Sequence, residues 1–296
     1  MSAEQIEMDG NVEEHFASFL ALHTGALRAS GIPHIYWKSL HQKITSEIYD
    51  AGEVFGIIQI QQEDDEEEEE ENGNNVENGK DNPRPVIRSK VVVTRANGLK
   101  ASEPTSVFLV DHAWTYRVDH ARQQLEQIPG LLSRMAALMG VDFHGEVPDL
   151  DTVEDVMELM WKYNQTYHLS QGSAEEKVPV WYIMDEFGSQ VQHSDQPSCG
   201  MAPFFYTHGQ VAYTVLWPLQ DLQEGGEVTR DYTYGETNPL VRRCRLLPWI
   251  PTDLEGVSRI TTEPPDSYYE MISQENKEQF PVEIQPYTVP KDKILK

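Results

Sequence analysis

A chain of 296 residues, 39% hydrophobic with six Trp and thirteen Tyr, carries enough apolar material for one large core or two modest ones. No apolar run approaches the ~20 residues that cross a bilayer, so no membrane partner is expected. The formal charge of −26, from 49 acidic against 23 basic residues, repels phosphate backbones and argues against direct nucleic-acid binding.

Nine of the negative charges form one unbroken run, Glu63 to Glu71, and −17 remains elsewhere. Such a surface suits basic protein partners, and it serves solubility whether or not it binds one. The opening stretch, Met1 to Asp9, is acidic and lacks the basic and apolar regions of a signal peptide. Only Cys199 and Cys244 occur, which reads as two reduced thiols in a cytosolic or nuclear protein rather than a disulfide framework.

In chain order, Asn11 and Glu14 are spaced as a capping box ahead of Phe16, Phe19, Leu20 and Leu27, which recur at helical intervals. Gly31-Ile-Pro33 breaks that helix, and Pro33 suits the first turn of a second one with Ile35, Leu40, Ile44 and Ile48 as its apolar stripe. Gly52 ends it, and Val54 to Ile60 reads as a strand. Residues 61–85 join the acidic run to Asn- and Pro-rich sequence and read as a disordered loop. Val86 to Thr94 and Ser106 to Val110 are the next strands.

A helical middle follows, over His120 to Gln127 and Leu131 to Met139, interrupted at Pro129-Gly130. Asp151 and Glu154 are spaced as a second capping box before Val153, Val156, Met157, Met160 and Trp161, a stripe that reads as core packing. Short strands then return at Val180 to Met184, Pro203 to Tyr206 and Val211 to Trp217. The tail holds Pro264-Pro265 and one helix through Tyr269, Ile272 and Phe280. Many short strands around a helical block define an α+β fold of small β-sheets with an inserted helical segment and N-terminal helices.

Two segments carry chemistry. The later one, Thr214 to Tyr232, ends in Gly226-Glu-Val-Thr-Arg-Asp-Tyr232. The earlier one, Met184 to Ser198, contains Asp185, Gly188, His193, Ser194 and Pro197. Together they resemble the two signature segments of SET methyltransferase domains, Asp-x-x-x-Gly-Asn-x-x-Arg-Phe-x-Asn-His-Ser-Cys-x-Pro-Asn and Gly-Glu-Glu-Leu-Thr-x-Asp-Tyr. The resemblance places Gln192 and His193 at the S-adenosylmethionine contact and Tyr232 at the catalytic tyrosine, which would orient a lysine amine.

The departures fall on the cofactor. Gln192 stands where the motif has Asn, one methylene longer, so its amide is displaced by about an ångström from the place the cofactor needs it. Asp195 replaces the motif's Cys, and Ser198 its last Asn. The Gly-x-Gly turn that lets backbone approach the cofactor is reduced to Asn97-Gly98, and no cysteine-rich zinc segment is present. Gly98, Gln192, His193 and Tyr232 are therefore read as vestigial positions, with no catalytic residue and no metal assigned. A core role for Tyr232, its hydroxyl holding a turn, stands beside the catalytic one.

Ala51 to Ile57, Asp111 to Trp114, His120 to Leu125, Trp181 to Gly188 and Thr229 to Tyr232 widen the resemblance. They are similar to the N-terminal SET-like region of the tubulin–tyrosine ligase-like family. That resemblance implies a C-terminal ligase-like domain after Lys296, which would hold any ATP chemistry and dock on this region. It also implies a cytoplasmic and cytoskeletal location, tubulin and histones as partners, and a role in regulating their modification. The expected organisation is residues 1–60 as N-terminal helices and first strand, 61–85 as the acidic loop, 86–255 as the SET-like domain and 256–296 as a C-terminal helix and linker. An active SAM-dependent protein-lysine methyltransferase is the alternative reading.

Three smaller features stay outside this assignment. The pair Val110-Asp-His112 and Val118-Asp-His120 offers metal-ligand residue types at a spacing that fits no standard site. Ser106 and Ser194 lack the turn that exposes a nucleophile. Arg242-Arg-Cys-Arg245 is a basic island that pairs more readily with local carboxylates than with phosphate.

Overall fold

A computed structural model describes residues 3–62, 86–145, 147–167 and 178–250. Residues 63–85 of the acidic loop and the tail helix expected through Tyr269, Ile272 and Phe280 lie outside them. The chain forms two compact units, Met1–Thr237 and Asn238–Lys296.

The first unit opens with α1 (Ala3–Ala29), which runs through Asn11, so the capping box expected there does not start the helix. A left-handed Gly31 closes it. After one 3-10 turn, α2 (Trp37–Thr45) buries Leu40 and Ile44 but leaves Ile35 and Ile48 exposed at its two ends, correcting half of the expected stripe. A second 3-10 turn over Ala51–Glu53 leads into β1 (Phe55–Gln62), which pairs antiparallel with β2 (Val86–Val93) from Phe55↔Val93 to Gln62↔Val86.

Next come β3 (Phe108–Val110) and β4 (His112–Tyr116), then α3 (Ala121–Gln127), α4 (Leu131–Met139) and α5 (Leu150–Leu159). The cap of α5 is Asp149, two residues before the one expected: its carboxylate accepts from Thr152 N at 2.9 Å and Thr152 Oγ1 at 2.8 Å. Strands β5 (Asn164–Tyr167) and β6 (Val180–Met184), the short helix α6 (Glu186–Gln190), β7 (Gln192–His193), β8 (Cys199–Tyr206), β9 (Val211–Pro218) and β10 (Thr229–Arg230) complete the unit. The second unit contributes α7 (Pro239–Leu246), capped by Asn238, whose side chain accepts from Leu240 N and Val241 N.

Two three-stranded sheets organise the first unit, in the orders β3-β9-β8 and β4-β6-β5. Period-two alternation sends their side chains to different cores. From β3, Phe108 and Val110 enter a central core with Phe55, Val93, Met201 and Leu216, while Leu109 faces the other way. On that opposite side Leu109, Phe204, Val215 and Trp217 pack under Phe19 and Leu27 of α1 and Leu40 of α2. From β6, Tyr182 and Met184 join the central core, and Ile183 meets the α3–α5 block through Leu125, Met135 and Val156. Val153, Val156 and Met160 are core residues as expected, whereas Trp161 is 56% exposed and stacks edge-on against Trp181.

Candidate functional site

The two signature segments meet through β7 and β10, which run parallel with Gln192 opposite Thr229 and His193 opposite Arg230. Two residues per strand make a weak ladder, and side chains reinforce it. Ser194 N donates to Arg230 O at 3.0 Å. Ser198 N donates to Thr229 Oγ1 at 3.0 Å, Thr229 N donates to Ser198 Oγ at 2.9 Å, and Ser198 Oγ donates to Glu227 O at 3.0 Å. Ser198 is thus a stitch to Thr229, 31 residues on. Asp185 caps α6 by accepting from Gly188 N at 2.8 Å, which sets the direction in which the chain reaches Val191 and β7.

Three of the four sequence-predicted positions come together here. The His193 side chain is only 7% exposed. Its Nδ1 accepts from Tyr232 N at 3.2 Å, and its ring centroid lies 5.2 Å from that of Tyr232. The Tyr232 hydroxyl donates to Val191 O at 3.1 Å. Burial raises the Tyr232 phenol above its ordinary pKa, while Arg230 pulls the other way. Gln192 folds back on its own segment, its Nε2 donating to Gln190 O at 3.2 Å. Asp195 is exposed, with Oδ1 3.5 Å from His193 Nε2.

Gly98 sits elsewhere. Its φ of +69° is left-handed, and a Cβ placed there would collide with the carbonyl oxygen of Leu222. Leu99 N donates to Leu222 O at 2.7 Å and Leu222 N to Leu99 O at 2.8 Å. The close backbone approach that requires glycine is therefore made by the chain's own Leu222–Gln223 segment.

Sequence reasoning passed over Arg230, the variable position of the Thr-x-Asp-Tyr signature. Its guanidinium carbon lies 4.3 Å over the Tyr232 ring, and Nη1 donates to Gln165 Oε1 at 3.4 Å. Nε is buried without a hydrogen-bond partner among the described residues. Burial lowers the Arg230 pKa, and the residue remains a cation held against an aromatic face. A buried polar chain beside it was also unmarked: the His112 ring stacks 3.9 Å from Tyr182, His112 Nε2 lies 3.0 Å from Thr214 Oγ1, and Thr214 Oγ1 donates to the Tyr182 hydroxyl at 3.3 Å. Burial drives His112 down to about 4.

The minor candidates separate. His112 is half-buried in that chain, while His120 is exposed beside Asp119, so the two Val-Asp-His triplets do not converge. No group of three His, Cys, Asp or Glu among the described residues can hold a metal ion. Glu227 pairs with Lys90 at 2.9 Å. Cys199 is buried and Cys244 exposed, both free thiols, and burial lifts Cys199 to about 12. Among the described residues no helix is long and apolar enough to cross a membrane.

Small sheets, among them parallel β7 and β10 with the two signature segments laced together, define a SET-like domain. The chain belongs to the tubulin tyrosine ligase SET-like domain family, whose model matches residues 79–253. It is 58% identical over 280 residues to human tubulin–tyrosine ligase-like protein 12, covering 95% of this chain and 43% of that protein. The mouse protein of that name is 55% identical over 278 residues, and that of Caenorhabditis elegans 26% over 309, with 94% and 86% of this chain covered. The chain spans 43% of the length of each of these relatives. Among solved structures, the Neurospora SET domain protein DIM-5, described as a histone lysine methyltransferase, overlaps half of each chain at 12% identity with a TM-score of 0.29, a partial likeness only.

Proposed function

We propose that this chain is a catalytically degenerate SET-like region, a pseudo-methyltransferase that acts through protein contacts. The observation that carries the reading is the state of Tyr232. Its hydroxyl is spent on Val191 O, and its ring is covered by the Arg230 guanidinium. A lysine ammonium brought to that hydroxyl meets a like charge: at about 6 Å and an effective dielectric near 20, the repulsion is about 3 kcal/mol, or about a hundredfold in affinity.

The cofactor positions support the same conclusion. Gly98 is occupied by its own chain's Leu222, and the Gln192 amide by Gln190 O. These residues do not fit S-adenosylmethionine, and we assign no cofactor to this chain. The acidic composition supports basic protein partners. The name of its relatives supports a role in regulating tubulin modification, with histone modification as the parallel target of a SET-like surface, in the cytoplasm, the cytoskeleton and the nucleus. The rest of the relatives' length fits a ligase-like domain that would hold ATP and dock on this region.

An active protein-lysine methyltransferase is the competing reading, favoured by the retained Thr229-Arg-Asp-Tyr232 signature. Calorimetric titration with S-adenosylmethionine decides between them, using the native chain and Gln192→Asn. No heat from either at millimolar cofactor is the expected result. Micromolar binding to the native chain overturns the proposal and leads to methyl-transfer assays on histone and tubulin lysines.

A further inference from the structure

The underside of α1 is built from rings rather than from polar contacts. Phe19 and His23 lie on its inner face, with His23 only 2% exposed. The His23 ring is 4.9 Å from Phe19, 5.2 Å from Phe204 and 5.5 Å from Tyr206, while Phe19 is 4.9 Å from His41 of α2. Two adjoining grooves of about 430 Å³ each run along this seam, and both are lined by His15, His41 and Thr45. His23 Nε2 is sealed from solvent and has no hydrogen-bond partner among the described residues.

Polar ties gather at one end of the helix. Ser30 Oγ donates to Pro203 O at 3.2 Å and the Tyr234 hydroxyl to Ser30 O at 3.4 Å. Towards the other end Lys38 pairs with Glu13, an exposed ion pair that contributes little. Neutral imidazoles pack in such a seam as small aromatic rings. A proton added to His23 puts charge on a ring whose Nε2 is buried and has no hydrogen-bond partner among the described residues.

We infer that α1 is an acid-releasable cover: protonation of His23 and His41 lifts the helix from β8, pivoting at the left-handed Gly31, and bares Phe204 and Tyr206. Charged and titratable groups face His23 from α1, α2 and β8. Glu14 and His15 stand on α1, His41 and Lys38 on α2, and Tyr206 and His208 on β8 and the turn after it. Among the described residues Glu14 is the one carboxylate lining the grooves, beside four imidazoles and Lys38, which already pairs with Glu13, so a second proton finds little counter-charge.

The direction follows from the depressed pKa values. Burial lowers both imidazoles, with His41 adding to the effect on His23 and His15 to that on His41. A native pKa below the free value of 6.5 means that the released state binds more protons. Docking is therefore at full strength above about pH 6.5 and weakens as pH falls through the native values. The docking constant drops by at most about tenfold per imidazole for each pH unit.

The test is hydrogen exchange of the whole chain from pH 7.5 to 5.0, corrected for intrinsic amide rates and read over residues 16–27. Protection there is expected to fall progressively as pH drops below 6.5. In His23→Phe and His41→Phe, which keep a ring and remove the proton site, the fall becomes shallower, and in the double variant it disappears. Should either ring swap fail to fold, His41→Gln at the rim of the groove serves the same comparison. Corrected protection that does not change with pH in the native chain overturns the inference. So does a fall that stays equally steep when both imidazoles are gone.

Discussion

Replacing Tyr232 with Phe removes a single oxygen and leaves the ring, so it isolates what the hydroxyl does. In this fold that hydroxyl donates to the carbonyl of Val191, a residue with no exposed surface. A buried hydrogen bond of this kind is worth about 1 kcal/mol net, and a carbonyl that loses its donor away from water adds to the loss, giving about 1.5 kcal/mol for the substitution. The stacking of Arg230 on the ring survives in phenylalanine and cancels from the difference. For a unit of this size each kcal/mol moves the melting temperature by about 2–4 °C, so a drop of about 3–6 °C is expected. Urea denaturation measures the same quantity as a shift in midpoint at constant slope. A Phe variant within about 0.3 kcal/mol of the native chain would refute the reasoning, because a hydroxyl that holds nothing together is free for chemistry.

Three further outcomes follow from the packing. Lys43→Met should destabilise by about 3 kcal/mol in urea, since it strands Asp50, whose two oxygens lie 2.7 and 2.8 Å from Nζ, and removes the donor to Val107 O at 2.7 Å; Lys43→Met with Asp50→Leu should recover part of that loss. Gly98→Ala should cost about 2 kcal/mol or more by thermal melting, combining a left-handed backbone with a collision against Leu222 O, and should do so whether or not cofactor is added. Because burial holds His112 near 4 in the fold against 6.5 when free, it contributes stability present above pH 6.5 and lost as pH falls towards 4, about 3 kcal/mol in all. Melting curves of His112→Phe between pH 7.5 and 4.5 should accordingly be flatter than those of the native chain.

Most regular elements could be read from the sequence because their alternation is strict. Phe108 and Val110 against Leu109, or Tyr182 and Met184 against Ile183, sort to opposite cores as a two-residue period demands. β5 was missed because Asn-Gln-Thr-Tyr has no apolar alternation and owes its strand state to pairing with β6. β4 was missed because a register shift between His112 and Trp114 breaks the pattern. The early cap misled because α1 continues through Asn11, its inner face set by packing further along at Phe19, His23 and Leu27. In the site, Gln192, His193 and Tyr232 could be found as motif letters. Arg230 could not, since it occupies the letter the signature leaves open, and only the fold shows it lying on the ring that the signature names.

The register of β1 and β2 has a practical consequence. Eight consecutive pairs end at Gln62↔Val86, so the two ends of the intervening sequence emerge side by side from a fixed stem. The closure cost of whatever joins them grows only as the logarithm of its length, by about 0.6 kcal/mol per doubling. That makes this stem a grafting port: a fluorescent reporter or affinity module spliced in after Gln62 would be carried with both of its termini anchored together, while the cores and the β7–β10 junction keep their own chain ends untouched.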